Sequence, residues 1–170
     1  GDLRLSTYMT AHSVASIPAD DPDASRCAAV LRKNGISKVC LEVYRGGLVV
    51  EKQTLIKVRD CLREQGFEVV GGIATVPGGD FGVHQEGPLG WFNWQNPKTR
   101  EDITRVVRMA AEVFDEFIVD DFLYTGDVSA ESKAAKWDRS WSDYRRELLV
   151  GLSTEVFIDP AKEVNPDIVM

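Results

Sequence analysis

Short apolar, β-branched runs alternate with amphipathic stretches of helical period along nearly the whole chain. That alternation commits a chain to parallel strands joined by helical crossovers, because a parallel pair cannot be closed by a tight turn. Four strand-then-helix units are legible, and a fifth strand begins near the end. The first strand is predicted at Leu3 to Met9. Asp21-Pro22 reads as a helix cap followed by proline at the first helical position, with Ala24, Cys27, Ala28 and Leu31 at helical spacing and Asn34-Gly35 as the stop. The second strand is Lys38 to Tyr44, followed by a helix from Glu51 to Gln65 with Leu55, Val58 and Leu62 on one face. The third is Phe67 to Thr75, followed by a long loop and a helix opened by Asn96-Pro97. The fourth ends at Asp120-Asp121. A polar loop then leads to a helix through Trp141, Tyr144, Leu148, Leu152 and Val156, which Pro160 should kink or end, and Asp167 to Met170 opens strand five.

Two architectures accommodate this order. A five-stranded doubly wound parallel sheet would use the whole chain, with a ligand at its switch point. A (β/α)₈ barrel of the TIM type spans about 250 residues, so these 170 residues would be its N-terminal half. Thr10-Ala11-His12-Ser13 follows the first strand where a nucleotide-binding doubly wound fold would carry a glycine-rich phosphate loop. Neither Gly71-Gly72 nor Gly78-Gly79 has phosphate-cradle placement. The expectation is therefore a single α/β domain over residues 1–170, a partial barrel, with continuation of the native chain past Met170 left open.

Composition narrows the partners. An apolar fraction of 44% and a charged fraction of 28% are those of a globular protein with a real core. A net charge of −7 argues against a nucleic-acid partner, which would call for a basic patch. No apolar run reaches the length of a membrane span. Cys27, Cys40 and Cys61 have no metal spacing and read as structural thiols, while His12 and His84 form no metal signature. No cofactor is expected.

The chemistry is concentrated at strand ends. Phe117 to Val119 reads as a strand buried on both faces, and two carboxylates close it. Asp is depleted in strands and costly to bury, so Asp120 and Asp121 are candidates for catalysis at the end of the strand where parallel α/β folds place their sites. Strict alternation sends one of the pair inward and leaves the other at the rim. In the second strand, alternation puts Val39, Leu41 and Val43 against the helices and Cys40, Glu42 and Tyr44 toward the barrel interior. The loop after strand three carries Trp91, Phe92 and Trp94 beside His84 and Glu86. Such aromatics either stack on sugar rings or pin the loop over the barrel mouth.

The run Phe114-Asp115-Glu116-Phe117-Ile118-Val119-Asp120-Asp121-Phe122-Leu123-Tyr124 resembles the fourth-strand motif of glycoside-hydrolase-like barrel proteins, a mostly bacterial group. Leu41-Glu42-Val43-Tyr44-Arg45-Gly46-Gly47 and the Ala161-Lys162-Glu163-Val164-Asn165-Pro166 lead-in to strand five also fit such barrels. The adjacent Asp pair is similar to that of O-GlcNAcase-type hexosaminidases. The resemblance implies a glycoside hydrolase acting on oligo- or polysaccharides, with Asp120 orienting or stabilising and Asp121 donating the proton. Tyr8, Glu42, Arg45, Trp91, Trp94 and Tyr124 would line the sugar site, without a metal. Location stays open, with the resemblance favouring a secreted or periplasmic one. Two other readings stay open: a carbohydrate-binding barrel without catalysis, and a hydrolase or phosphotransferase in which Asp120 and Asp121 hold Mg²⁺. An isolated half-barrel would leave two open sheet edges and is expected to self-associate.

Overall fold

A computed structural model describes residues 4–120 and 123–170. In chain order the elements are β1 (Leu5–Met9), α1 (Ala11–Asp20), α2 (Ser25–Lys33), β2 (Ile36–Arg45), β3 (Leu48–Val49), α3 (Lys52–Glu64), β4 (Glu68–Ala74), α4 (Pro97–Val113), β5 (Phe117–Asp120), α5 (Ala130–Lys136) and α6 (Trp141–Leu152). A π-helical segment, Ser153–Ile158, joins α6 to α7 (Asp159–Val164). Leu3, the first residue of the predicted strand one, and Asp121 with Phe122 of the Asp-Asp motif lie outside the described residues.

The sheet is wound in one direction. β1, β2, β4 and β5 pair in that order, all parallel, and the two-residue β3 folds back antiparallel on β2. Val169 adds to the far side of β5: its N–H donates to Asp115 and its carbonyl accepts from Phe117, each at 3.0 Å. This is the predicted start of the next strand, joined in parallel. A doubly wound sheet reverses its strand order at the switch point. Among the described residues there is no reversal, which is the winding of the first half of a (β/α)₈ barrel.

The helices form one connected layer: α1 packs on α3, α3 on α4, and α4 on the π-helical segment and α7. Val39, Leu41 and Val43 meet the buried faces of these helices, including Leu55, Val58, Leu62, Ile103, Val106 and Val107, in one apolar core. Burying such side chains stabilises the sheet–helix contact by about 1.5–3 kcal/mol each. The other face of the sheet borders a concavity of about 420 Å³ lined by Ser6, Tyr8, Lys38, Cys40, Val70 and Ile118. Lys38 crosses its lower end, with Nζ 3.0 Å from Glu68 and 2.7 Å from Glu116. No helix among the described residues is long and apolar enough to cross a membrane.

Several predicted elements are displaced for physical reasons. The segment after β1 is a helix, α1, despite Pro18 inside it; Thr10 caps it by accepting from the Ser13 N–H, and Ala11, Val14 and Ile17 bury one side. Asp21-Pro22 does not open α2. The helix starts at Ser25, and Asp21 instead accepts from the Cys27 N–H at 2.8 Å. Half of the polar loop before α6 is α5, capped by Ser129. Pro160 does not end its helix. The wider π-helical turns immediately before it absorb the missing donor and the ring, and the helical path runs on to Val164.

Candidate active site

At the C-terminal ends of β1, β2 and β5 three side chains converge around Arg45. Glu42 is completely buried. Its Oε1 accepts from the Tyr8 hydroxyl at 2.8 Å, and its Oε2 accepts from the N–H of Ala11, the first residue of α1, at 2.6 Å. Arg45 Nε lies 3.0 Å from each Glu42 oxygen, and Nη2 lies 2.9 Å from Oε1. The same Nη2 reaches Asp120 Oδ2 at 3.3 Å, bridging β2 to β5 across β4. The carboxylate of Glu42 thus meets a guanidinium, a phenol and the N-terminus of α1.

The local backbone makes this possible. Residues 42 and 45 of a regular strand point to opposite faces. Here the β2–β4 register shifts between Glu42 and Tyr44, so Glu42 pairs with Gly72 and Tyr44 with Ile73. Such a bulge re-aims the side chains beyond it. Arg45 therefore joins Glu42 on the inner face, whereas Tyr44, expected there from strict alternation, is turned to the helix side. Its ring stacks on Phe81 at 4.0 Å and its hydroxyl donates to the Val76 carbonyl. Gly46 and Gly47, at φ 56° and 93°, then form the two-residue hairpin turn that ends β2. Gly72 has its own constraint: a Cβ there would lie 2.6 Å from the Tyr8 hydroxyl oxygen and 2.8 Å from Cys40 Sγ.

Burial and the Glu42 charge drive the Tyr8 hydroxyl far above the ordinary phenol range, so it stays protonated and donates. Burial, with Glu42 nearby, pushes the Cys40 thiol up to about 12, and Cys40 is an inert inner-face residue donating to the Gly71 carbonyl. Of the Asp-Asp pair, Asp120 directs its half-exposed carboxylate to the inner face. Asp121 lies outside the described residues.

The aromatics of the loop after β4 divide into two sets. Phe92 and Trp94 are buried, and Trp94 packs between Phe92 and Phe157 at 5.2 and 6.1 Å. Its indole N–H donates to the Tyr124 carbonyl, so Trp94 pins the loop and has no free face for a sugar ring. Trp91 and Tyr124 meet edge-to-face at 5.0 Å, with Tyr124 exposed. This pair sits on the two loops that leave the C-terminal ends of β4 and β5.

A buried carboxylate that the sequence reading passed over ties those loops together. Asp127 accepts from the N–H of Glu86 at 2.8 Å, from the Ser129 hydroxyl at 2.7 Å and from the Ser132 hydroxyl at 2.5 Å. The Ser129 N–H donates to it as well. Burial pushes this carboxyl up, but the four hydrogen bonds outweigh it and hold the group below the usual carboxylate value. Tyr144 of α6 bonds to Ser132 and accepts from Gln95, extending the network under the β4 loop. The available sequence signal was Ser129-Ala130-Glu131-Ser132, a helix-capping pattern inside the stretch read as loop. His12 and His84 are exposed. Among the described residues no three His, Cys, Asp or Glu side chains converge so as to hold a metal ion.

Residues 1–170 match the family model described as "Probable glycosyl hydrolase, catalytic domain". An uncharacterized protein of Saccharolobus solfataricus is 26% identical over 195 residues, an alignment covering 96% of this chain and 31% of the relative. The chain thus spans about a third of the length of this curated relative.

Proposed function

The chain belongs to the family of probable glycosyl hydrolase catalytic domains, and on that premise we propose that it supplies the first half of a glycosidase active site acting on oligo- or polysaccharides. The observation that carries the reading is the inward Asp120 carboxylate at the end of β5, tethered to Arg45 at 3.3 Å. Catalytic groups of (β/α)₈ barrels project from that end of the strands. Asp121 is the proton donor to the glycosidic oxygen as the C1–O bond breaks. Asp120 orients the sugar or stabilises the positive charge that develops on the oxocarbenium-like ring, and water then adds at C1. Tyr8 and Arg45 line the inner side of the site. Trp91 and Tyr124 offer ring faces at its rim, where apolar faces of pyranoses stack. A partner carboxylate, where the mechanism uses one, is to be sought on later strands of the longer chain.

The test is Asp121→Asn in the full-length enzyme, assayed on glycosides with good and poor leaving groups. Loss of a general acid lowers kcat by about 10²–10⁴-fold, and the loss is larger for the poor leaving group, which needs the proton more. Wild-type turnover by Asp121→Asn on both substrates would end the assignment.

A further inference from the structure

We propose that Glu42 is a positioning residue and not a sugar ligand: it locks the Arg45 guanidinium in the pose that fixes the Asp120 carboxylate. The kinetic part of this inference rests on the glycosidase reading, whereas the positioning itself does not.

First, an ionised carboxylate offers about four lone-pair sites. Those of Glu42 are taken by Tyr8, by the Ala11 N–H and by two nitrogens of Arg45, and the side chain is completely buried. A sugar hydroxyl would have to displace one of these bonds inside the protein. Glu42 therefore acts on the site only through a neighbour.

Second, that neighbour is gripped in a fixed plane. Nε contacts both Glu42 oxygens while Nη2 contacts Oε1, which orients the planar guanidinium rather than attracting a point charge. With the plane set, Nη2 also falls 3.3 Å from Asp120 Oδ2. Asp120 closes a strand of only four residues and its side chain is 42% exposed, so its rotamer needs an external anchor.

Third, the fold spends unusual features on this contact. The bulge after Glu42 turns Arg45 inward, the bare Cα of Gly72 leaves room for Tyr8, and the start of α1 supplies a backbone donor. Removing any one would loosen the grip without touching a substrate.

The experiment compares full-length wild type, Glu42→Gln, Arg45→Gln and the double variant. Glu42→Gln keeps the volume but turns an amide NH₂ toward the guanidinium, where donor faces donor. The crystal structure of Glu42→Gln is expected to show Arg45 displaced and its contact with Asp120 broken. On the 4-nitrophenyl glycoside that wild type hydrolyses best, kcat should fall by about 10²-fold, as for a misplacement on the order of 1 Å, with KM nearly unchanged. The double variant should be no worse than Arg45→Gln alone, because Glu42 acts through Arg45. The inference is overturned by a Glu42→Gln crystal structure in which Arg45 still holds Asp120, or by single losses that multiply in the double variant. If Glu42→Gln does not fold, Tyr8→Phe removes one anchor of Glu42 and should displace Arg45 in the same direction by less; an unmoved Arg45 there is equally fatal. Absence of glycoside turnover by wild type would sink the glycosidase reading, and the crystal structures would still decide the positioning.

Discussion

Replacing Asp127 should loosen both loops that carry the rim aromatics, in a way that depends on pH. In Asp127→Asn the amide oxygen can keep the Glu86 and Ser129 N–H groups, while the NH₂ replaces the oxygen that now accepts from the Ser129 and Ser132 hydroxyls. Both hydroxyls can rotate to accept, so all four charge-assisted bonds become neutral ones. At about 1.5–3 kcal/mol for a bond to a charged group against about 1 for a neutral one, the loss is at least about 2 kcal/mol at pH 7. Asp127→Ala also strands two backbone donors and should cost about 4 kcal/mol on the same scale. The sign with pH follows from the depressed folded-state value of the carboxyl. Its stabilisation is complete above the unfolded value of about 3.9 and is lost as pH falls through the lower folded value. Asparagine does not titrate there, so the gap between wild type and Asp127→Asn should narrow below about pH 4. Urea unfolding of the full-length protein from pH 7 to pH 3, with hydrogen exchange at the Glu86 and Ser129 amides, reads both quantities. A gap at pH 7 below a few tenths of a kcal/mol, or one that stays constant down to pH 3, would refute the hub.

Three other outcomes follow from the same geometry. Gly72→Ala drives a methyl group against the Tyr8 hydroxyl and Cys40; it should destabilise by about 1–3 kcal/mol in urea unfolding, and adding Cys40→Ala should recover part of that. Trp94→Ala empties a fully packed site and should cost about 3–5 kcal/mol of stability. Trp91→Ala should leave the melting temperature close to wild type and raise KM for an oligosaccharide, so equal stability losses at the two tryptophans would contradict the division of the aromatic loop.

The alternation of elements was legible because each main helix carries an unmistakable apolar face, as Leu55, Val58 and Leu62 do on α3 and Ile103, Val106 and Val107 on α4. α1 was not, because its capping Thr10 and its sparse face of Ala11, Val14 and Ile17 are masked by polar residues and Pro18. The placement of Glu42 on the inner face followed from period two, and it holds. The same rule failed two residues later at Tyr44, since a bulge adds a residue to one strand only and leaves no mark in composition. What saturates Glu42 is a backbone N–H at residue 11 and a phenol at residue 8, contacts made only by the folded chain. Likewise Trp91 and Trp94 are chemically identical in sequence; the path of the loop buries one and leaves the other at the rim.

The most direct measurement is to incubate the full-length enzyme with a panel of aryl glycosides and oligosaccharides in H₂¹⁸O and to weigh the products. A glycosidase releases a reducing sugar that carries the label at its anomeric carbon, with production falling sharply in Asp121→Asn. Unlabelled sugar, or substrates bound and returned intact across the panel, would contradict a glycosidase.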